Sequence, residues 1–415
     1  MRRLTFTALP LLFAASLLLA QDPLPQPTPT PTAVPRPSVP TPAARPVAIP
    51  PAPASQGAAW ILMDATSGQV LAGQNIDTPR SPASLTKVMS SYVVAAELAA
   101  GRIRKDDAVL ISERAWREGG AGTTGSFSGF EVNSRAPLHV VMTGMVVQSG
   151  NDASIALAEH VAGTEEAFAD LMNSYAKKLG MTNSNFVNSH GLDAPGQVMS
   201  ARDMATLSRA LIRDFPEAYA LHSMKEFTWN GITQHNRNGL LWKDPTVDGI
   251  KTGSTRTAGY NLAASAKRGD MRLISVVMGV ETDSRAEAFR IREGDNLALL
   301  NWGFRFYETH ALFDPAKALA TQPLFKGEVE TVELGVARPI LVTLPRGRYA
   351  DLKPQIDVPK QLVAPVAAGQ TIGTVRVMLD GKEVAQAPLV ALKPVAEAGF
   401  FGRIYDEFIM WWNAE

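Results

Sequence analysis

The 415-residue sequence contains no cysteine. That excludes disulfides, cysteine-ligated zinc, iron–sulfur clusters and thiol nucleophiles together, and with them any lipid attached through cysteine. Neither sign of charge is in excess, since 40 Lys+Arg balance 40 Asp+Glu. An electrostatic nucleic-acid binder carries a basic surplus, so no nucleic-acid partner is expected. A long apolar run is also missing. A bilayer span needs about 20 predominantly apolar residues, and the Leu4–Leu19 stretch is shorter and interrupted by Pro10. What is present is 46% hydrophobic and 19% charged, a globular composition with length for two or three folded units.

The two ends are atypical. Residues 1–20 read as a signal peptide, with Arg2 and Arg3 before the apolar run and the small Ala20 where cleavage is expected. An exported chain without cysteine fits a bacterial envelope better than a disulfide-stapled secretome. Residues 21–53 hold 13 of the 29 prolines; nothing in them can bury a core, which predicts a disordered, extended polyproline-II linker. At about 3.1 Å per residue it reaches on the order of 100 Å. In residues 396–415, Phe400, Phe401, Ile404, Tyr405, Phe408, Ile409, Trp411 and Trp412 fall on one half of a helical wheel. The pattern predicts an amphipathic helix lying in a membrane surface rather than one docked on its own domain.

Between the ends the pattern is α+β. AAWILMDATSGQVLAGQN predicts a hairpin turning at Thr66-Ser67-Gly68. Helical spacing covers Ser84–Ala100, Leu138–Val147 and Ala153–Val161. Asp248–Gly253, Gly259–Ala266 and Met271–Val280 read as strands, the last nearly continuous in apolar residues and hence central. Helices enclosed between strands that must pair indicate a mixed sheet with a helical layer, over residues 54–311. From Leu312 to residue 395, short β-branched segments such as ETVELGV, PILVTLP and GTVRVML predict a small all-β domain.

Three short patterns carry chemistry. Ser84-Leu85-Thr86-Lys87 opens a helix, and i, i+3 spacing puts the Ser84 hydroxyl and the Lys87 amine on one face. A serine hydroxyl needs an adjacent base to act as nucleophile, and a buried lysine near other cations loses its proton readily enough to serve. By itself, a serine cap followed by a solvated lysine is the commoner meaning. Ser149-Gly150-Asn151 lies in a polar break between two helices; it is either a cap or a hydroxyl and carboxamide that relay a proton and orient groups. Lys251-Thr252-Gly253 ends an apolar strand, where it either leaves the sheet for solvent or lines a strand edge with a cation, a hydroxyl and room for substrate.

In this order, SxxK, SxN and KTG resemble the penicilloyl serine transferases. The wording RSPASLTKVMS, VVQSGNDASIALAEHVAG, MTNSNFVNSHGLD and VDGIKTGSTRTAGYNLAASA is similar to the low-molecular-weight penicillin-binding proteins of the D-alanyl-D-alanine carboxypeptidase type, from about Ala58 to the C-terminus. The resemblance implies a β-lactamase-like catalytic domain, a small β domain and a C-terminal amphipathic membrane helix. It further implies a serine peptidase that removes the terminal D-alanine of peptidoglycan pentapeptides through an acyl-enzyme, needs no metal or cofactor, and is acylated by β-lactams. Ser84 is then the nucleophile and Lys87 its base. Ser149 passes the proton to the leaving group, Asn151 orients Lys87 and the peptide, and Lys251 supplies electrostatics. Thr252, Gly253, Ser254 and Arg285 form the substrate-binding set, with the Ser84 and Ser254 N–H groups as the oxyanion hole. The implied location is the periplasmic face of the inner membrane, peripherally attached.

Two departures stand out: Ser254 occupies a position where close relatives often carry histidine, and the proline-rich linker is untypical. His190 and Asp193, in the NSHGLD segment, read as loop-fixing residues. A D,D-endopeptidase that cleaves cross-links, or a non-catalytic peptidoglycan-binding scaffold, share the same residues and stay open at this point.

Overall fold

The computed structural model describes residues 49–120, 122–123 and 125–399. The expected signal peptide, the linker up to residue 48 and the terminal helix from Phe400 lie outside the described residues.

Five strands form the main sheet in the order Val70–Gln74, Ala59–Asp64, Met271–Val280, Gly259–Arg268, Val247–Thr255. Met271–Val280 is central, as its apolar run predicts. The expectation of a mixed sheet is corrected, because every neighbouring pair is antiparallel. The last three strands follow one another through tight turns that use left-handed Gly259 and Gly269, and the opening hairpin adds antiparallel to the free edge of the central strand. The one long connection, from Gln74 to Val247, re-enters the sheet at its far edge, and the chain then runs back through two tight turns, so that Met271–Val280 meets Ala59–Asp64 antiparallel. The parallel pair sits instead in the C-terminal region, between Leu324-Phe325 and Leu362-Val363.

Alternation along Ala59–Asp64 divides the interior. Ala59, Ile61 and Met63 join the helical core, while Trp60 and Leu62 pack with Leu299 and Leu300 of the helix Arg285–Phe306. The helices Thr86–Ala99, Leu138–Val147 and Asn151–Ala162 supply the fully buried Met89, Val93, Met145, Ile155 and Leu157. Each such side chain contributes roughly 1.5–3 kcal/mol on burial, which fixes these helices as a rigid frame.

The helix Arg285–Phe306 ends directly in the strand Tyr307–Leu312, which pairs with Ile340–Pro345. The β region therefore begins at Tyr307, a little before the expected Leu312, because backbone pairing rather than composition sets the boundary. A six-stranded sheet completes it around Leu334, Val336, Val375 and Leu389. At the junction, Asp64 accepts from Thr309 Oγ1 at 2.9 Å and from Ser67 N at 2.6 Å, and Ser67 Oγ meets Thr343 Oγ1 at 2.7 Å. The end of the expected linker is also revised. Ile49 and Ala52 pack on the second core, and Trp302 Nε1 donates to Pro50 O at 3.1 Å; residues 49–53 carry apolar groups that find partners there. Among the described residues no helix is long and apolar enough to cross a membrane.

Candidate active site

Ser84 lies in a single 3-10 turn, Ala83–Leu85, that feeds the helix Thr86–Ala99. Ala83 is held at φ +48°, a left-handed conformation that costs a non-glycine residue energy and persists only where its surroundings over-determine it. The neighbouring strand supplies that constraint. Fully buried Asn261 donates to the carbonyls of Ser81 at 3.2 Å and Pro82 at 3.1 Å, and accepts from Gly279 N at 2.8 Å. Gly253, opposite Asn261 in the register, allows the close approach: a Cβ there would stand 3.0 Å from both Pro82 O and Ser84 N.

Lys87 follows one turn later, fully buried. Its Nζ lies 3.1 Å from Ser84 Oγ, 2.6 Å from Asn151 Oδ1 and 2.7 Å from His190 O. Burial, with Arg237 nearby, pushes its pKa down from the ordinary 10.5 to about 7. Once neutral, the amine keeps two hydrogens for the two carbonyl oxygens and turns its lone pair to the Ser84 hydroxyl, the arrangement a general base requires.

Asn151 reaches Lys87 because a left-handed Ser149, φ +66°, reverses the chain between Leu138–Val147 and Asn151–Ala162. Ser149 and Asn151 thereby both line the cavity beside Ser84. Buried Asp152 behind them accepts from Ser128 N at 2.9 Å, and desolvation raises its pKa to about 6. On the far wall runs the edge strand Val247–Thr255 with buried Lys251 and Thr252. Burial first, then Lys87, Arg237 and Arg292, hold Lys251 well below the ordinary lysine range.

These groups enclose a cavity of about 450 Å³ lined by Ser84, Ser149, Asn151, Thr252, Gly253, Ser254 and Arg285. Arg237, Arg256 and Arg292 line it as well. Arg285 and Arg292 flank the Phe289 ring, at 5.3 and 4.2 Å from its centroid, and Arg292 Nη2 donates to Arg237 O at 3.3 Å. Asp193 is the one carboxylate among the described lining residues, and it accepts from Ser81 Oγ and Thr255 Oγ1, both at 2.8 Å. The cavity is therefore strongly cationic and suits an anionic end group.

With this geometry in place, comparison with known proteins is informative. The D-alanyl-D-alanine carboxypeptidase family matches residues 47–282, and the C-terminal domain of penicillin-binding protein 5 matches residues 307–397. The chain belongs to this carboxypeptidase family. It is 49% identical over 362 residues to the D-alanyl-D-alanine carboxypeptidase DacC of Escherichia coli K12, covering 86% of this chain and 89% of that one. The crystal structure of penicillin-binding protein 5 from Haemophilus influenzae is similar at TM-score 0.79 and 42% identity, covering 84% of this chain and all, 100%, of that one. Penicillin-binding protein D2 of Listeria monocytogenes, in its cefotaxime-bound form, aligns at TM-score 0.54 and 28% identity over 61% of this chain and 100% of that one. The carboxypeptidase family thus joins the low-molecular-weight penicillin-binding proteins whose motif wording the sequence shares.

The structure brings Ser84, Lys87, Ser149, Asn151, Lys251, Thr252, Gly253, Ser254 and Arg285 to one place. Asp193 lines the cavity wall, and His190 holds the loop there by accepting from Leu192 N and, through its carbonyl, from Lys87 Nζ. His190 lies 3.4 Å from Glu165, and burial beside Lys87 drives its pKa down to about 3, so it stays neutral. Sequence reasoning missed Arg237, Arg292, Asn261 and Glu165. Arg237 stands alone in NRNGL, and Asn261 sits mid-strand in a segment read for its apolar pattern and motif wording with no role given to the asparagine. Neither has a spacing signal; the register reveals Asn261 and the cavity wall reveals Arg237.

Proposed function

We propose that this protein is a serine D-alanyl-D-alanine carboxypeptidase that removes the terminal D-alanine of peptidoglycan pentapeptides, with Ser84 as the acylated nucleophile. The observation that carries the reading is the contact of Ser84 with the buried Lys87–Asn151 pair facing a cationic cavity. Lys87, whose pKa is lowered to about 7 and which is therefore partly neutral at that pH, takes the Ser84 proton as the hydroxyl attacks the penultimate D-alanine carbonyl. The N–H groups of Ser84 and Ser254 receive the oxyanion, a task for which fixed backbone donors are well suited. Ser149 returns a proton to the leaving D-alanine nitrogen. Thr252 and Arg285 hold its carboxylate, and Lys251 adds positive potential along the strand edge. Water then hydrolyses the ester to free Ser84. A β-lactam enters the same path, because its strained amide offers a carbonyl to Ser84 and a carboxylate to the same cations.

The proposed cellular setting follows from the ends of the chain. The expected signal peptide and the aromatic face read from the sequence of residues 396–415 support a setting at the periplasmic face of the inner membrane, where peptidoglycan stems are found. That setting fits a role in cell-wall biogenesis and cell shape.

The test is release of D-alanine from diacetyl-Lys-D-Ala-D-Ala, together with intact mass after benzylpenicillin. Wild-type protein should release D-alanine and gain one adduct, and Ser84→Ala should do neither. An adduct on Ser84→Ala overturns the assignment. Hydrolysis of dimeric muropeptides in preference to the free pentapeptide favours the endopeptidase reading.

A further inference from the structure

The residues that act on substrate come from two walls: the helix Thr86–Ala99, with Lys87, and the edge strand Val247–Thr255, with Lys251. Both lysines are buried, and Lys87, when protonated, lowers the pKa of Lys251, so the chemistry of both depends on their separation. The free edge of the strand shows what does. Just before the Lys251-Thr252-Gly253 motif, outward carbonyls are taken up by side chains from outside the sheet: Gly249 O accepts from Asn238 Nδ2 at 3.0 Å, and Ile250 O is 2.9 Å from His222 Nδ1. From Thr252 onward the edge faces the cavity. An unpaired edge is a template for another extended chain, so capping it up to Ile250 confines that template to the motif.

His222 does more than cap the edge. It sits in the short turn Leu221–Ser223 with no solvent exposure, and its other nitrogen, Nε2, lies 3.3 Å from Ser91 Oγ. Ser91 is one helical turn beyond Lys87, at i+4 on the same face. A carbonyl oxygen only accepts, so the proton is on Nδ1, and Nε2 is left to accept from the Ser91 hydroxyl. The ring is stacked on Tyr219, 6.0 Å between centroids and 19° apart. Tyr219 is itself anchored to Asp248 at 2.7 Å, three residues before Lys251 along the same strand.

We infer that His222 is a positioning residue that ties the helix carrying Lys87 to the strand carrying Lys251, and so sets the distance between the base and the cation of the opposite wall. It touches no substrate. The inference rests on the reading of Ser84 as nucleophile. Its control is Ser84→Ala: uptake of penicillin by that variant overturns the functional reading and this inference with it, whereas loss of the adduct leaves the His222 variants to decide the inference alone.

The experiment uses the whole protein, benzylpenicillin as acylating probe and mass spectrometry to count active sites. His222→Phe keeps the ring and removes both links; it should lower the first-order acylation constant per titrated site by at least about tenfold. His222→Asn places an N–H near the position of Nδ1 and retains the link to Ile250 while losing the one to Ser91, so it should stay about two- to fivefold down. His222→Gln reaches toward Ser91 without serving Ile250 and should stay at least about fivefold down. Ser91→Ala, which cuts one arm only, should cost about two- to fivefold. A purely structural role lowers the titrated fraction or the melting temperature and leaves the rate per site unchanged. That result overturns the inference. So does a wild-type rate per site in the Asn or the Gln variant, a comparison that remains decisive if the Phe variant fails to fold.

Discussion

Asn151 Oδ1 lies 2.6 Å from Lys87 Nζ, a contact between two helices across 64 positions of sequence. It uses one of the amine's two hydrogens in the neutral form and thereby aims the lone pair at Ser84. Asn151→Ala frees Lys87 to rotate and leaves a buried amine one acceptor short. Loss of an oriented base is worth about 10²–10⁴ in rate, so acylation by benzylpenicillin should slow by at least 10²-fold while the melting temperature moves only a few degrees. A time course of intact mass measures it.

The pH dependence follows from Lys87. Its pKa in the fold is depressed to about 7, so below that value the amine is protonated and has no lone pair for Ser84. Acylation should rise tenfold per pH unit on the acid side, bend near pH 7 and level off above it. A second-order acylation constant measured from pH 5 to 9 checks this. A flat profile across pH 7 removes Lys87 as base. Lys87→Arg, which stays charged throughout, should abolish acylation at every pH.

Gly253 is required by space. A methyl group there stands 3.0 Å from Pro82 O and Ser84 N, closer than ordinary van der Waals contact, and both neighbours are backbone. Gly253→Ala should displace the nucleophile turn. Misplacement of this order costs about 10²-fold in rate, read as acylation per titrated site.

Asn261 holds the same turn from the other side. Asn261→Asp keeps the shape and exchanges two donors for acceptors, leaving Ser81 O without its partner and Pro82 O facing a carboxylate. A buried unsatisfied polar group costs about 1–3 kcal/mol, which should appear as a fall of several degrees in melting temperature. Because Ala83 depends on this anchor for its φ of +48°, acylation should drop with it, and the surviving fraction should be slower per site.

Arg285 opens the helix on the cavity wall. A hydrogen bond from a charged donor is worth about 1.5–3 kcal/mol. Arg285→Ala should therefore raise KM for a peptide ending in a free carboxylate by at least about tenfold. The same variant should barely alter the reaction with a C-terminally amidated peptide. Steady-state kinetics on the two peptides separates these outcomes.

Local chemistry was legible in the sequence. The i, i+3 spacing puts Ser84 and Lys87 on one helix face, and the order SxxK, SxN and KTG carries the family resemblance, although each motif alone reads equally as a cap or a solvated lysine. The strand Met271–Val280 announced its central position through an unbroken apolar run, and the hairpin turn at Thr66-Ser67-Gly68 through its residues. Helix Leu138–Val147 and the break after it were also readable, since apolar periodicity and polar punctuation are local properties. What required the tertiary structure was everything that depends on register and direction. Strand polarity was misread, since composition does not record whether two strands run alike. Asn261 sits opposite Gly253 only because of the pairing, and Arg237, Arg292 and His222 reach the site from segments with no pattern of their own. The sequence determined which groups are present and which of them are neighbours along a helix. Packing decided the rest, because burial shifts the pKa of Lys87, and close approach across the sheet sets the distances on which a proton transfer depends.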